Sequence, residues 1–305
     1  MTYWTRQGRT GVARALRSTC SVGLVAAAAW ASAGAAHAAC LDDAQVAEWV
    51  QAYNAKTPAA NPPEMSAEDG KCTRNKMVAA FEQAGRKAVG YKAGLTSAAV
   101  QKRFNTDKPV WGRLYKGALL ANRSTVPAAF GARPLFEADM LVRVSSSAIN
   151  RATTPLQVLN AIDRIVPYIE LPDLMVEDPK TLNGAAVEAI NVGSRLGVMG
   201  EPIMIPQLRS DRYVLVNALQ SMEIDIKDQT GARIGGGRGG DLMGQPLNAV
   251  IWLVQALDQE NRRLQVGDWV SLGSFSALMP PKAGKEITID YKGLPGAQPV
   301  QVQFE

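Results

Sequence analysis

Histidine is almost absent from this chain of 305 residues. The single histidine, His37, lies in an alanine-rich segment near the N-terminus. The rest of the chain has no imidazole, which excludes a Ser-His-Asp triad, a Cys-His pair and zinc bound by histidine. Chemistry there must use carboxylates, lysine, a hydroxyl, a thiol, or a metal ion held by oxygen ligands.

The chain also lacks an apolar run of the roughly 20 residues that a membrane-spanning helix needs. Its N-terminal apolar stretch, Val22 to Ala31, is shorter, follows four arginines without an acidic residue, and precedes Ala36-His37-Ala38. This order is typical of a secretory signal with a small-x-small cleavage site. We predict a signal peptide over residues 1–38, cleavage near Ala38, and a periplasmic or secreted mature protein that no membrane segment retains.

The chain has almost no net charge once the predicted signal peptide is left out. The full chain has 33 Lys and Arg against 28 Asp and Glu, a net charge of +5. Four of the basic residues and none of the acidic ones fall in residues 1–38, so the other 267 residues carry 29 basic and 28 acidic side chains. A net charge of +1 leaves no basic excess for nucleic acid, and we expect no nucleic-acid partner.

Cysteine is limited to three residues, and Cys20 belongs to the leader. In an oxidising compartment the remaining pair, Cys40 and Cys72, indicates a disulfide between the new N-terminus and the segment before a second helix. Closing such a loop contributes about 3–4 kcal/mol in the entropic description. Two free thiols, or a lipid-modified Cys40, are the alternatives.

The spacing of apolar residues predicts two helices and then a region rich in strands. Helices are expected over Asp42 to Asn54 and over Thr73 to Lys87, the second with Met77, Phe81 and Ala84 facing inward. Strands are predicted over residues 88–95, 135–144, 168–171, 213–217, 222–227, 268–272, 286–291 and 300–304, and helices over 97–104, 154–166 and 246–257. This order indicates an α+β fold built on a large mixed sheet, with a small N-terminal helical cap over residues 39–88.

Two acidic residues stand out on the strand at 135–144. Glu137 and Asp139 project from one face, and the opposite face is wholly apolar and must be buried. Leu141, on the acidic face, indicates that this face is also partly covered. Two covered carboxylates repel each other unless a cation or a proton lies between them, and a hard divalent cation such as Mg²⁺ resolves that conflict. Glu170, which ends an apolar run, is a candidate third ligand.

A solvated strand face is the alternative interpretation of such a pair. Glu223 and Asp225 show the same alternation, and we interpret them as part of a solvated sheet edge. The alternation by itself leaves both interpretations open.

A series of short motifs runs through residues 86–305. The motifs are Gly90-Tyr91-Lys92-Ala93-Gly94-Leu95-Thr96-Ser97, Val100-Gln101, Pro109-Val110-Trp111-Gly112, Phe136-Glu137-Ala138-Asp139-Met140, Ile169-Glu170-Leu171-Pro172-Asp173, Ala189-Ile190-Asn191-Val192-Gly193-Ser194, Gly244-Gln245-Pro246-Leu247-Asn248-Ala249-Val250-Ile251-Trp252-Leu253, and Gly267-Asp268-Trp269-Val270 with Leu272-Gly273-Ser274. In this order they resemble the 2-keto-4-pentenoate hydratases of the fumarylacetoacetate hydrolase superfamily.

The resemblance implies a β-sheet roll over residues 89–305 that binds Mg²⁺, or Mn²⁺, through Glu137, Asp139 and Glu170. Its substrate would be a small 2-oxo acid whose carbonyl the metal polarises, so that water adds across a conjugated double bond or CO₂ leaves. Lys92 would then lie near the substrate as a cation or proton donor, whereas without the resemblance a surface lysine is expected.

The resemblance further implies that Asn191 and Ser274 bind the substrate, Ser274 through the carboxylate. It also implies a homo-oligomer and a place in aromatic catabolism.

The chain departs from the family pattern at three places, one of which is the added Pro172. Leu174 and Met175 follow Asp173 where the hydratases have Asp-Ser-Arg, and Ile190 stands where they have Asp. Loss of polar groups around a metal site can lower affinity or activity by about 10–100-fold. The Glu-His pair with which the superfamily's hydrolases activate water cannot form without histidine.

Two hypotheses follow. The first is an exported hydratase- or decarboxylase-like enzyme that needs a divalent metal ion and acts on a small 2-oxo acid. The second is a catalytically inactive periplasmic protein of the same fold that binds a carboxylate ligand.

Residues 235–240 contain a G-x-G-x-x-G pattern. A dinucleotide site also needs a βαβ unit and an acidic residue downstream, and the sequence does not indicate parallel crossovers. We interpret this segment as a mobile glycine loop near the site.

Overall fold

The computed structural model describes residues 40–305, and the predicted signal peptide lies outside the described residues. The described part of the chain is built around two mixed β-sheets. The helices are α1 (Asp43–Ala55), α2 (Ala67–Gln83), α3 (Ala98–Arg103), α4 (Pro155–Leu159), α5 (Gly184–Ala189), α6 (Arg209–Ser221) and α7 (Asn248–Gln259). The strands are β1 (Ala88–Gly94), β2 (Val110–Tyr115), β3 (Leu119–Leu120), β4 (Ser124–Val126), β5 (Glu137–Val144), β6 (Ile162–Leu171), β7 (Leu196–Met199), β8 (Ile203–Met204), β9 (Glu223–Asp228), β10 (Arg233–Arg238), β11 (Trp269–Ser271), β12 (Glu286–Lys292) and β13 (Val300–Phe304).

The larger sheet has the order β2-β1-β11-β5-β6-β7-β3, with β8 also paired to β6, and the smaller sheet has the order β10-β9-β12-β13-β4. Most neighbours are antiparallel, but β1 with β11, β3 with β7 and β13 with β4 are parallel. Apolar side chains of both sheets and of α7 share one hydrophobic core. The predicted α+β class is confirmed. Within residues 40–305, no helix has both the length and the apolar character needed to cross a membrane.

Helices α1 and α2 fall in the segment predicted as an N-terminal cap, and both begin at capping boxes. Asp42 and Ser66 accept hydrogen bonds from the backbone three residues on, which satisfies free N–H groups of the first turn. The Ser66 cap starts α2 earlier than predicted, so Cys72 lies inside α2 and Ala84 is exposed beyond its end. The sulfur atoms of Cys40 and Cys72 are 2.12 Å apart in a disulfide.

Strand β6 replaces the last five residues, 162–166, of the helix predicted over residues 154–166. The helix α4 ends at Leu159, because residues 162–171 form a long strand that pairs with β5 along its whole length. On the side away from β5, strand β6 pairs with β8 at Ile165 and with β7 from Tyr168 onward. Pro167 lies between these two pairings, where its missing N–H group is tolerated.

The strand predicted over residues 213–217 was wrong: this segment belongs to α6. Leu215, Ala218 and Leu219 are buried at spacings of three and four, whereas Tyr213 and Val214 are exposed. Tyr213 and Val214 therefore lie on the helix's outer face, while Val216 is half-buried against the core.

The second acidic pair and the glycine segment both lie in the smaller sheet. Strand β9 is not an edge, because it pairs with β10 on one side and β12 on the other, and Asp225 is buried while Glu223 is exposed. The glycine segment is strand β10 with a short helical turn, not a loop. A Cβ on Gly237 would lie 1.9 Å from the Phe275 carbonyl oxygen, so glycine permits this close packing.

Candidate active site

Strands β5 and β6 bring the predicted acidic residues together. Their antiparallel register places Glu137 directly opposite Glu170, and side chains opposite each other lie on the same face of a sheet. Asp139 follows two residues along β5 on that face. All three side chains are buried, with exposed fractions of 6%, 0% and 2% for Glu137, Asp139 and Glu170. Both faces of β5 are therefore covered around the three carboxyl groups.

Burial and mutual repulsion shape the acid–base properties of the three carboxyl groups. Loss of water, together with the nearby Glu170, raises the pKa of Asp139 to about 8. Burial also raises the pKa of Glu170 to about 8, although Lys92 acts in the opposite direction. The pKa of Glu137 is raised by burial as well, and the positive charge of Lys92 partly offsets this effect. A cation in this site would relieve the repulsion.

Lys92 supplies one such positive charge. It lies on β1 with 3% of its surface exposed, and its ammonium group is paired with Glu170 Oε1. The same ammonium donates to the Val192 carbonyl oxygen at 2.7 Å. Lys92 is thus an internal cation of the acidic cluster rather than a surface lysine.

Asp139 is held by donors from the strand β11 region. Ser271 Oγ donates to Asp139 Oδ2 at 2.5 Å, and the Gly273 N–H donates to Oδ1 at 3.0 Å. The Tyr291 hydroxyl donates to the Asp139 backbone carbonyl, and the Tyr168 carbonyl oxygen lies 3.1 Å from the same hydroxyl oxygen. Neither Ser271 nor Tyr291 was predicted from the sequence as a site residue. Ser271 lies between two motifs of the family resemblance, and this position was the only feature of the sequence that could have indicated a role for it.

The segment after α5 carries unusual backbone angles. Asn191 and Val192 both have φ of 55°, a left-handed conformation that a β-branched residue rarely adopts. The Asn191 side chain accepts from the Arg113 N–H at 2.7 Å and donates to the Arg113 carbonyl at 3.1 Å. Asn191 therefore anchors this strained turn to β2, and its neighbour Val192 presents the carbonyl that binds Lys92. Strain of this kind is typical of functional sites.

Ser274 lies at the cleft but its hydroxyl is already engaged. Ser274 Oγ donates to the Ser276 carbonyl at 2.7 Å and accepts from the Ser276 N–H at 3.1 Å. Its hydroxyl also lies beside Glu137, where it counters the burial that raises the pKa of that carboxyl group.

A cleft opens onto this cluster. Its polar side chains include Lys92, Thr96, Glu137 and Ser274. Its walls are mainly apolar and include Leu95, Val100, Phe104, Pro172, Leu174, Val187, Val192 and Leu278. A few convergent polar groups in an apolar cleft are typical of a small-molecule site.

The donor set of the cluster fits a hard divalent cation. Three buried carboxyl groups supply oxygen atoms only, and Glu170 Oε2 is buried without a hydrogen-bond partner. Within residues 40–305, however, no three acidic, histidine or cysteine side chains already stand in an arrangement that could hold a metal ion. Lys92 occupies the other Glu170 oxygen, so a metal ion would have to displace this ion pair or share the carboxylate with it.

The chain is similar in sequence to proteins whose names state an enzymatic activity. The chain is 30% identical over 211 residues to 2-keto-4-pentenoate hydratase 1 of Dechloromonas aromatica, an alignment that covers 69% of this chain and 76% of that protein. No protein-family model matches the chain.

Two solved structures share the fold. The 4-oxalocrotonate decarboxylase from Pseudomonas putida G7, complexed with magnesium and adipate, has a TM-score of 0.73 at 22% identity and covers 88% of this chain and all of that one. Fumarylpyruvate hydrolase from Pseudomonas aeruginosa, in complex with Mn²⁺ and pyruvate, has a TM-score of 0.51 at 15% identity and covers 72% of this chain and 88% of that one.

Proposed function

Because the chain belongs to the 2-keto-4-pentenoate hydratase family of the fumarylacetoacetate hydrolase superfamily, a family of hydro-lyases, we propose that it hydrates a short, unsaturated 2-oxo acid with the help of a divalent metal ion. The observation that carries this proposal is the cluster of three buried carboxyl groups with one buried lysine, of which Glu137 and Lys92 line a cleft. In the reaction, water gives its hydroxyl to one carbon of a double bond and its proton to the other, so nothing is oxidised.

Glu137, Asp139 and Glu170 would hold the metal ion, Mg²⁺ or Mn²⁺. When bound, such an ion polarises the 2-oxo group and favours the enol. Ser271 and the Gly273 N–H fix the orientation of Asp139. These donors play the part that outer hydrogen bonds play in metal sites, where they orient the ligands.

Lys92 would act on the substrate from the inner end of the cleft. Its ammonium group is positioned by Glu170 and by the Val192 carbonyl, so it is pre-oriented toward an anionic ligand. There it attracts the substrate carboxylate and holds a proton at Nζ. The apolar walls exclude water around it, which strengthens its electrostatic effect.

A non-catalytic carboxylate-binding protein of the same fold is the second candidate. It is favoured by the segment after Glu170, where Leu174 and Met175 are buried and apolar. Asp173, the polar residue that remains, accepts from the backbone N–H groups of Ala132 and Arg133 and pairs with Arg195 at 3.0 Å. It therefore has a structural role and leaves this side of the cleft without a polar group.

The test compares two acidic residues in the same sequence pattern. Glu137→Gln should abolish Mg²⁺-dependent loss of 2-oxopent-4-enoate and weaken Mg²⁺ binding measured by calorimetry, because the change removes a ligand charge but keeps the shape. Glu223→Gln, on the exposed side of β9, is the matched control and should change neither quantity. Turnover that survives Glu137→Gln would show that the site is misplaced. Wild-type protein that binds a 2-oxo acid but neither hydrates 2-oxopent-4-enoate nor decarboxylates 4-oxalocrotonate would favour the non-catalytic candidate.

We further propose that the protein is exported, with cleavage near Ala38, and that it assembles as a homo-oligomer. The composition of residues 1–38 supports export. The pairing of Cys40 with Cys72 supports it as well, since disulfides persist in oxidising compartments.

A further inference from the structure

Thr96 carries a buried hydroxyl group that lacks a partner. The residue is 3% exposed, and Thr96 Oγ1 has no hydrogen-bond partner among residues 40–305. A threonine hydroxyl offers one donor and two acceptor positions, and leaving it buried and unpaired costs free energy. Native proteins retain few such groups, and each one calls for an explanation.

The hydroxyl lies at the cleft, beside the residue that orients Asp139. Thr96 lines the cleft together with Lys92 and Glu137. A Cβ on Gly273 would lie 2.1 Å from Thr96 Oγ1, so the absence of a side chain at Gly273 makes room for the hydroxyl. The Gly273 N–H itself donates to Asp139 at 3.0 Å. Thr96 is therefore next to the proposed metal ligands without being one of them.

The turn that carries Thr96 is held in place. Leu95 has a left-handed backbone with φ of 56°, and its carbonyl accepts from Gln101 Nε2 at 2.8 Å. Gln101 belongs to α3, which closes this side of the cleft. The hydroxyl is thus positioned before any ligand arrives, which is how binding sites limit the entropy lost on binding.

Ser274, the other hydroxyl at the cleft, is less free to bind a ligand. Its single proton is donated to the Ser276 carbonyl, and Ser276 N–H donates back to it. Binding a substrate oxygen through Ser274 would break the hydrogen bond to Ser276, whereas Thr96 would lose nothing.

We infer that the Thr96 hydroxyl donates a hydrogen bond to a carboxylate oxygen of the bound 2-oxo acid, the role expected for Ser274 from the sequence. This inference rests on the proposed substrate class, but not on turnover. The donor, placed beside Lys92, would recognise the negative end of the ligand and leave its tail against the apolar walls.

The experiment measures binding of pyruvate, a 2-oxo acid without a double bond to hydrate, to the mature protein by calorimetry in the presence of Mg²⁺. Thr96→Val and Thr96→Ala should each raise the Kd about tenfold, the loss expected for one hydrogen bond to a charged group. Thr96→Ser should restore a Kd close to the wild-type value. The Tm of the ligand-free Thr96→Val protein should be no lower than that of the wild type, because the hydroxyl has no partner to lose.

Thr73→Val is the matched control. Thr73 is also fully buried, but its hydroxyl accepts from the Leu41 N–H at 3.1 Å, in the N-terminal cap. This variant should lower the Tm and leave the Kd for pyruvate unchanged.

Unchanged pyruvate binding in both Thr96→Val and Thr96→Ala would overturn the inference, as would wild-type protein that binds no pyruvate with Mg²⁺ or Mn²⁺. Failure of the proposed function gives a different result. Pyruvate binding that depends on the Thr96 hydroxyl, in a protein that does not hydrate 2-oxopent-4-enoate, would support the inference and reject the hydratase activity.

Discussion

We expect the buried ion pair between Lys92 and Glu170 to contribute strongly to the thermal stability of the metal-free protein. Their side chains are only 4% and 3% exposed, so neither charge is compensated by water. Lys92→Met keeps most of the side-chain volume but leaves Glu170 beside Glu137 and Asp139 without a cation. Removing one partner of a buried pair typically costs about 3–5 kcal/mol. For a chain of this size, that loss lowers the Tm by roughly 10 °C.

The cost of Lys92→Met should depend on pH. The pKa of Glu170 is already raised to about 8, so this group can take up a proton when the ammonium is lost. Protonation limits the destabilisation at pH 6, whereas at pH 9 the carboxylate must stay ionised or bind a proton at a cost of about 1.4 kcal/mol per pH unit. The difference in Tm between wild type and variant should therefore be larger at pH 9 than at pH 6.

The assay is thermal unfolding of the metal-free mature protein at both pH values. Glu170→Gln in the Lys92→Met background should recover stability, since it removes the uncompensated charge, and this double-mutant cycle isolates the interaction. Lys227→Met is the matched control. It breaks a half-buried pair with Asp290 in the smaller sheet, where water still reaches both charges, and should change the Tm far less.

Magnesium gives a second measurement on the same variant. An ion bound by the three carboxylates should stabilise Lys92→Met, by about 2.7 kcal/mol when its free concentration is 100 times the Kd. Equal losses of Tm in Lys92→Met and Lys227→Met would refute the reasoning. So would a loss at pH 6 that exceeds the loss at pH 9.

Two further predictions concern stability. The Cys40–Cys72 bond spans 32 residues, so its reduction should lower the free energy of unfolding by about 3.7 kcal/mol in the chain-entropy description. Urea denaturation with and without reductant measures this loss. Two titratable thiols in the denatured, unreduced protein would contradict the pairing. The metal-free protein should also lose stability as the pH rises from about 4.5 to 8. Asp139 and Glu170 have folded-state pKa values of about 8, well above their ordinary values. Over this range the folded state therefore binds more protons than the unfolded chain. Urea denaturation at pH 5, 6.5 and 8 measures this slope, and stability that increased over the range would contradict the assigned protonation states.

Local patterns in the sequence were enough to predict much of the fold. Apolar periodicity and capping residues located α1, and alternation located β5, β9, β12 and β13 to within one or two residues. These elements carry their information in neighbouring positions, because helix and strand periods are short. The prediction failed at α6 and β6. In α6 two of the outward-facing residues, Tyr213 and Val214, are aromatic or β-branched. Strand β6 continues through Pro167, at the point where its second neighbour changes from β8 to β7.

For the site, the sequence by itself determined the residue types and restricted the chemistry. Without histidine in residues 39–305, carboxylates, lysines, hydroxyls and thiols were the available groups, and the succession of motifs indicated the acidic residues and Lys92. It also placed Glu137 and Asp139 on one face of a strand, since that follows from the period of two.

The tertiary structure alone decided which of these groups meet. Glu137 faces Glu170 because of the β5–β6 register, and Lys92 reaches Glu170 from a strand 78 residues earlier in the chain. A local turn engages the hydroxyl of Ser274 with Ser276, whereas long-range packing places the Thr96 hydroxyl against Gly273 without a hydrogen-bond partner among residues 40–305. Hydrogen-bond partners depend on distances of a few ångströms between segments far apart in sequence, and no local pattern encodes those distances.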